Sequence, residues 1–337
     1  MLNAFTRADK MLNALVMQNK VPGLSISVEQ NNQVLLQRGY GFAHIETRIP
    51  VDPLKTIFRI ASASKPIAAT ALAHMVEEGI LNLDASFYDY VPYYPKNSED
   101  FTIRQLAGHT AGLRGYQGKE YALNLPLDIK ESIDIFKDDE LLFKPGSDYF
   151  YTSYDWVLVS LAMQEVSAIP FAEYVEQNVL KPLGLFNTYP ESPHDRNSNW
   201  ATFYTRKASG FKPAVAVNNL YKLAGGGYLS TSADLAKLGK AYLDKKIVNE
   251  TVVDEFITSQ KIGDTPTYYG LGWQSSFDNK GRPYYGHIGN GVGGYSNFYI
   301  YPQQEIVIAI LINCTDPKVQ MELDSIIDVF LSTELLG

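Results

Sequence analysis

Apolar positions at Phe5, Ala8, Leu12, Leu15 and Val16 recur at the spacing of one helix face, so the pattern predicts an amphipathic N-terminal helix. Pro22-Gly23 breaks that period, and Leu24-Ser25-Ile26-Ser27-Val28 then alternates apolar with polar as a strand does. Asn31-Asn32 offers a tight turn into a second strand over residues 34–41, which makes a hairpin. Short extended segments near residues 48–51 and 57–60 precede the run Ile67-Ala68-Ala69-Thr70-Ala71-Leu72-Ala73. That run has no polar face and predicts a buried helix reaching Glu78, with Gly79 as its stop.

Beyond Gly79 the pattern changes to helical stretches divided by long punctuated loops, at residues 88–92, 103–109, 128–137, 154–166 and 171–179. It changes again near residue 214. A glycine-rich passage, residues 225–232, leads into a helix beginning at Ala233, followed by strands over 270–277, 283–287, 295–301 and 306–313 and a last helix over 319–331. The expected architecture is an α/β lobe built from residues 1–80 and 214–337, interrupted by a mainly helical lobe of residues 81–213, with catalytic groups at the seam.

Composition narrows the function. At 337 residues, with 45% hydrophobic and 20% charged positions, the chain can bury a sizeable core. A net charge of −8 without a Lys/Arg stripe excludes a phosphate-backbone partner. Cys314 is alone, so no internal disulfide forms. No stretch reaches the length of a membrane span. The first ten residues lack an apolar signal core, which is expected of a cytoplasmic protein, or of a periplasmic or secreted one whose leader was removed. Oligomeric state leaves no mark on the sequence.

The candidate chemistry centres on Ser62-Ala63-Ser64-Lys65. On a helix starting near Ser62, residues three apart share a face at roughly 5–6 Å, which brings the Lys65 amine to the Ser62 hydroxyl. The first-turn N–H groups have no partner inside the helix and face negative charge forming there. Pro66 agrees with a first-turn position. A second island, Lys144-Pro145-Gly146 through Trp156, holds Tyr149, Tyr151 and Tyr154 as rival proton carriers, and a phenol beside a lysine is expected to have its pKa lowered. A third, Tyr285-Gly286-His287-Ile288-Gly289-Asn290-Gly291, surrounds a histidine with glycines that permit close backbone approach to a substrate carbonyl.

In this order and spacing the three islands resemble the serine β-lactamase and penicillin-binding-protein-like superfamily, in its class C-like branch. The likeness runs from Pro22-Gly23 to about residue 313 and takes in Ile103-Arg104-Gln105-Leu106, His109-Thr110-Ala111-Gly112-Leu113 and Ala224-Gly225-Gly226-Gly227-Tyr228. It implies a β-lactamase/transpeptidase-like fold, an antiparallel sheet flanked by helices with an inserted helical lobe. It implies Ser62 as the acylated nucleophile, Lys65 as its base and Tyr151 in the Tyr-x-Asn motif, with Ser153 where Asn is usual. His287-Ile288-Gly289 stands for Lys-Thr-Gly, and the oxyanion hole is the backbone N–H groups of Ser62 and Asn290.

Both departures point away from antibiotic hydrolysis. Ser153 is shorter than an amide, and His287 replaces a fixed ammonium by a group expected near half-protonation around pH 6.5. The implied activity is a serine esterase, amidase or peptidase on a small substrate, needing no cofactor, and the Tyr-x-Ser pattern is similar to that of the β-lactamase-like serine proteases. The alternatives are a true β-lactamase or DD-carboxypeptidase, and, from another class, a non-catalytic binding protein. Tyr154, Tyr285, Ser153 and Gly289 are expected to meet substrate, and Tyr149, Tyr268, Tyr269 and Tyr295 to share the cleft lining. Metal-assisted hydrolysis is disfavoured, because His44, His74, His109, His194 and His287 show no paired ligand spacing.

Overall fold

The computed structural model describes residues 2–96, 99–192 and 198–332. Helix α1 (Leu2–Met17) leads to β1 (Gly23–Gln30) and β2 (Gln33–His44), joined by Asn31 and Asn32 at φ of 49° and 63°, the left-handed pair that a two-residue hairpin turn requires. Helix α2 (Ser64–Glu77) follows and ends before Gly79, whose φ is 69°. Residues 81–213 hold short helical pieces around one long helix, α3 (Ser153–Ser167), and a two-stranded antiparallel pair, Tyr204–Lys207 with Gly210–Pro213. Helix α4 (Ser232–Leu243), capped by the Thr231 hydroxyl on the Asp234 N–H, opens the C-terminal part. Strands β3 (Gln274–Phe277), β4 (Pro283–Gly291), β5 (Gly294–Tyr301) and β6 (Ile306–Ile312) precede helix α5 (Gln320–Leu331).

These strands form one antiparallel sheet in the order β3-β4-β5-β6-β1-β2, with the two-residue strand Ile49–Pro50 at its edge. The fold is α/β, as expected. Strand β6 is buried at every position because both faces are covered. Ile306, Ile308, Ile310 and Ile312 face α1 and α5, and Val307, Ala309 and Leu311 face the core containing α2, α3 and α4. That second covering explains the polar half of β1. Ser25 and Ser27 are fully buried, and their hydroxyls meet Ser232 of α4 at 2.6 and 2.9 Å.

Helix α2 is the structural centre, with 11 of its 14 residues buried. Strand β3 begins at Gln274 because Gly270–Gly272 form a packed turn instead. Gly272 has φ 84°, and a Cβ there would lie 2.7 Å from the Trp156 ring. Among the described residues, no helix is long and apolar enough to cross a membrane, and no three His, Cys, Asp or Glu side chains converge as a metal site; His194 lies outside them.

Candidate active site

Ser62 sits in a 3₁₀ turn, Ala61–Ala63, directly before α2. Ala61 has φ 47°, a left-handed conformation that costs a non-glycine residue roughly 1 kcal/mol. The surroundings hold the turn: Ser296 Oγ donates to Ile60 O at 2.7 Å, and Ser64 Oγ accepts the Tyr228 N–H at 3.1 Å. The serine is thus lifted towards the cleft from a fixed corner.

Lys65 lies one turn on and is fully buried. Its Nζ donates to Gly225 O at 2.8 Å and stands 3.4 Å from Ser62 Oγ and 4.7 Å from the centre of the Tyr151 ring. Burial, assisted by the nearby Lys222 ammonium and opposed by Asp155 where ionised, lowers the amine from its ordinary 10.5 to about 7. Tyr151 comes from the loop before α3, where Thr152 caps the helix through the Tyr154 N–H. Its hydroxyl donates to Ser62 Oγ at 2.9 Å. Contrary to the lowered phenol expected beside a lysine, burial raises the Tyr151 pKa, so the phenol keeps its proton.

His287 on β4 is also buried, at 1% exposure. Its Nδ1 lies 2.6 Å from Ile288 O, which only accepts, so Nδ1 carries the hydrogen and Nε2 accepts from the Tyr269 hydroxyl at 2.9 Å. Burial and the Lys65 charge push its pKa down to about 3, which corrects the half-protonated imidazole expected from the sequence. Behind Tyr151 lies a pair that sequence reasoning missed. His109 Nδ1 meets Asp155 Oδ2 at 2.6 Å, both fully enclosed, and the imidazole packs 4.5 Å from the Tyr151 ring and 4.7 Å from Tyr269. Burial holds the His109 pKa well below and the Asp155 pKa well above their ordinary values, both favouring a pair without net charge. The histidine of His-Thr-Ala-Gly-Leu was its one visible signal.

Gly289 brings β4 against the serine turn. A Cβ there would lie 2.2 Å from Ile60 O, 2.3 Å from Ser296 Oγ and 3.1 Å from Ser62 N. Gly289→Ala is therefore expected to force the strand off the turn, cutting ester turnover by about a hundredfold and lowering Tm, measured by kinetics and thermal melting. Asn290, Ser62 and Ser153 line one cleft of ≈ 260 Å³, together with Gly225, Gly226 and Lys222.

Two residues expected at the substrate lie elsewhere. Tyr154 is fully buried, stacked 4.2 Å from Phe136, with its hydroxyl donating to Glu120 at 2.9 Å. Tyr285 packs 5.5 Å from Trp273 and lines a separate cavity of ≈ 630 Å³ with Tyr242 and Glu29. Tyr295 also turns away, donating to Gln320 at 2.6 Å in the core under α5, and Tyr268 is 52% exposed. Tyr149 and Tyr269 do stand near Tyr151, Tyr269 at 5.8 Å and Tyr149 6.3 Å from Tyr269. Lys222 and Arg59, the latter held by Glu191, reach the cleft wall with no motif to announce them.

The Beta-lactamase family model matches residues 8–329. The mitochondrial serine beta-lactamase-like protein LACTB of Homo sapiens is 26% identical over 380 residues, covering 84% of this chain and 69% of that protein. An octameric penicillin-binding protein homologue from Pyrococcus abyssi superposes with a TM-score of 0.86 at 25% identity, over 98% of this chain and 78% of its own. The D-amino acid amidase of Ochrobactrum anthropi SV3 shares the fold at TM-score 0.86 and 19% identity, over 98% of this chain and 99% of its own. The chain belongs to the beta-lactamase family of serine hydrolases.

Proposed function

We propose that the chain hydrolyses a small ester, amide or peptide by acyl transfer through Ser62, with Lys65 as general base and Tyr151 as proton carrier to the leaving group. One observation carries this reading: Lys65 Nζ at 3.4 Å and the Tyr151 hydroxyl at 2.9 Å converge on the Ser62 oxygen, from an amine whose pKa is about 7. A neutral Lys65 takes the Ser62 proton as Oγ attacks the carbonyl. The oxyanion forms beside the Ser62 and Asn290 N–H groups, a role supported by the closeness of β4 to Ser62 at Gly289. Tyr151 gives its proton to the departing nitrogen or oxygen and recovers one from the Lys65 ammonium. In the second half, Lys65 takes a proton from water, which attacks the acyl group, and returns it to Ser62 Oγ as the acid leaves.

The neutral, buried His287 supports ester, amide or peptide substrates over penicillins and D-Ala-terminated peptides, since it offers no fixed positive charge to their carboxylate. The test combines intact-protein mass with turnover of p-nitrophenyl butyrate, nitrocefin and a D-Ala-D-Ala peptide. The expected result is ester turnover with an acyl or fluorophosphonate adduct on Ser62 and little nitrocefin turnover. Rapid nitrocefin hydrolysis would overturn the substrate preference, and an intact fold that takes no adduct at Ser62 would make the chain a binding protein.

A further inference from the structure

The cleft beside Ser62 has walls that include Ser153, Asn219 and Lys222 but neither Tyr151 nor His287. If Tyr151 serves the leaving group, as the acyl-transfer reading holds, this cleft takes the acyl side of the substrate. Its charges are unevenly compensated. Arg59 is bound through Nε to both Glu191 oxygens at 2.9 Å and through a second nitrogen to Val292 O at 2.6 Å, and Asn219 Nδ2 donates to the same carboxylate at 2.8 Å. Asp316 at the rim is paired with Lys318 at 2.5 Å. Lys222 has no such partner. It is 7% exposed, makes no ion pair among the described residues, and spends one N–H on Tyr121 O at 2.9 Å while lying 5.2 Å from the Tyr116 ring centre. A buried ammonium with donors to spare, on the wall of a substrate cleft, is an incomplete ion pair.

The geometry points to Lys222 as the anchor for a carboxylate carried on the acyl portion of the substrate, so that the preferred substrates are esters or amides of acids bearing a second, free carboxylate. The anchoring carboxylate completes the pair and adds charge-assisted hydrogen bonds. The leaving-group side, flanked by the neutral His287, offers no equivalent charge.

The test compares the p-nitrophenyl half-esters of glutaric, adipic and pimelic acids with the neutral p-nitrophenyl esters of the same chain lengths, using wild type, Lys222→Met, Lys222→Arg and Ser62→Ala. In the wild type, kcat/KM for the half-ester is expected to exceed that of its neutral counterpart by about tenfold or more for at least one length. Lys222→Met brings that ratio to unity or below, and Lys222→Arg retains most of it. Because the readout is a ratio, a general loss of activity does not imitate the result. Half-esters that are no better than neutral esters at all three lengths, or a preference that survives Lys222→Met, overturn the anchor. With hydrolysis still dependent on Ser62, that outcome leaves the acyl-enzyme reading standing, whereas hydrolysis that survives Ser62→Ala overturns both.

Discussion

Ser62→Ala and Lys65→Met are each expected to lower kcat/KM for p-nitrophenyl butyrate by about ten-thousand-fold, and the double variant to lose little more than either alone. The reason is that the two side chains form one unit. Without the amine 3.4 Å away, the hydroxyl has no base at neutral pH, and without the hydroxyl the amine has no proton to take. A double variant whose loss equals the product of the two single losses would show that the residues act independently. Lys65→Met has a second expected effect, on stability. The amine's pKa is about 7 in the fold against an ordinary 10.5, so the unfolded chain binds the proton more tightly throughout that interval. The proton-linked cost of burying the amine is therefore greatest at pH 7 and below, shrinks as pH rises towards 10.5, and vanishes above it. After the lost Gly225 bond is subtracted, the methionine variant should be more stable at pH 7 by on the order of 3 kcal/mol. The gain should shrink as the melting buffer is taken towards pH 10, and thermal or denaturant melts across that range measure it.

The second large effect belongs to Tyr151→Phe, and it should depend on the leaving group. Burial keeps the phenol protonated, so its useful act is to donate, first to Ser62 Oγ and then to the departing atom. An amide nitrogen cannot leave without that proton, whereas p-nitrophenolate is a stable anion at neutral pH. The variant is expected to slow a p-nitroanilide or peptide by roughly a hundred- to thousandfold and a p-nitrophenyl ester by far less, compared as kcat/KM. Equal losses on both would assign Tyr151 to holding Ser62 in place.

What could be read from the chain followed the range of the interactions involved. The Asn31-Asn32 hairpin, the Gly79 stop and the Ser62 to Lys65 spacing depend on residues a few positions apart, and local geometry determines them. Tyr151 and His287 needed a family resemblance to be joined to Ser62, because nothing local relates residues 89 and more positions apart. Ring direction was not legible. Tyr154 and Tyr285 stand beside candidate motifs, yet helix and strand geometry aims them at Phe136 and Trp273. Ionisation was misjudged for one shared cause: burial, which a sequence does not show, raises Tyr151 where a neighbouring lysine implied a lowered phenol, and lowers His287 from the ordinary imidazole value. The His109–Asp155 pair and Lys222 went unseen because each acquires its meaning from partners distant in sequence.

The most direct test of a serine activated by a neutral lysine is the pH dependence of Ser62 modification by a fluorophosphonate, with the adduct located by peptide mass. The expected rate of adduct formation climbs through an apparent pKa of about 7, set by Lys65, and is then flat to pH 9, since His287 has already lost its proton and Tyr151 still holds its own. A rate that rises only near the ordinary lysine value of 10.5, or an adduct on another residue, would contradict it.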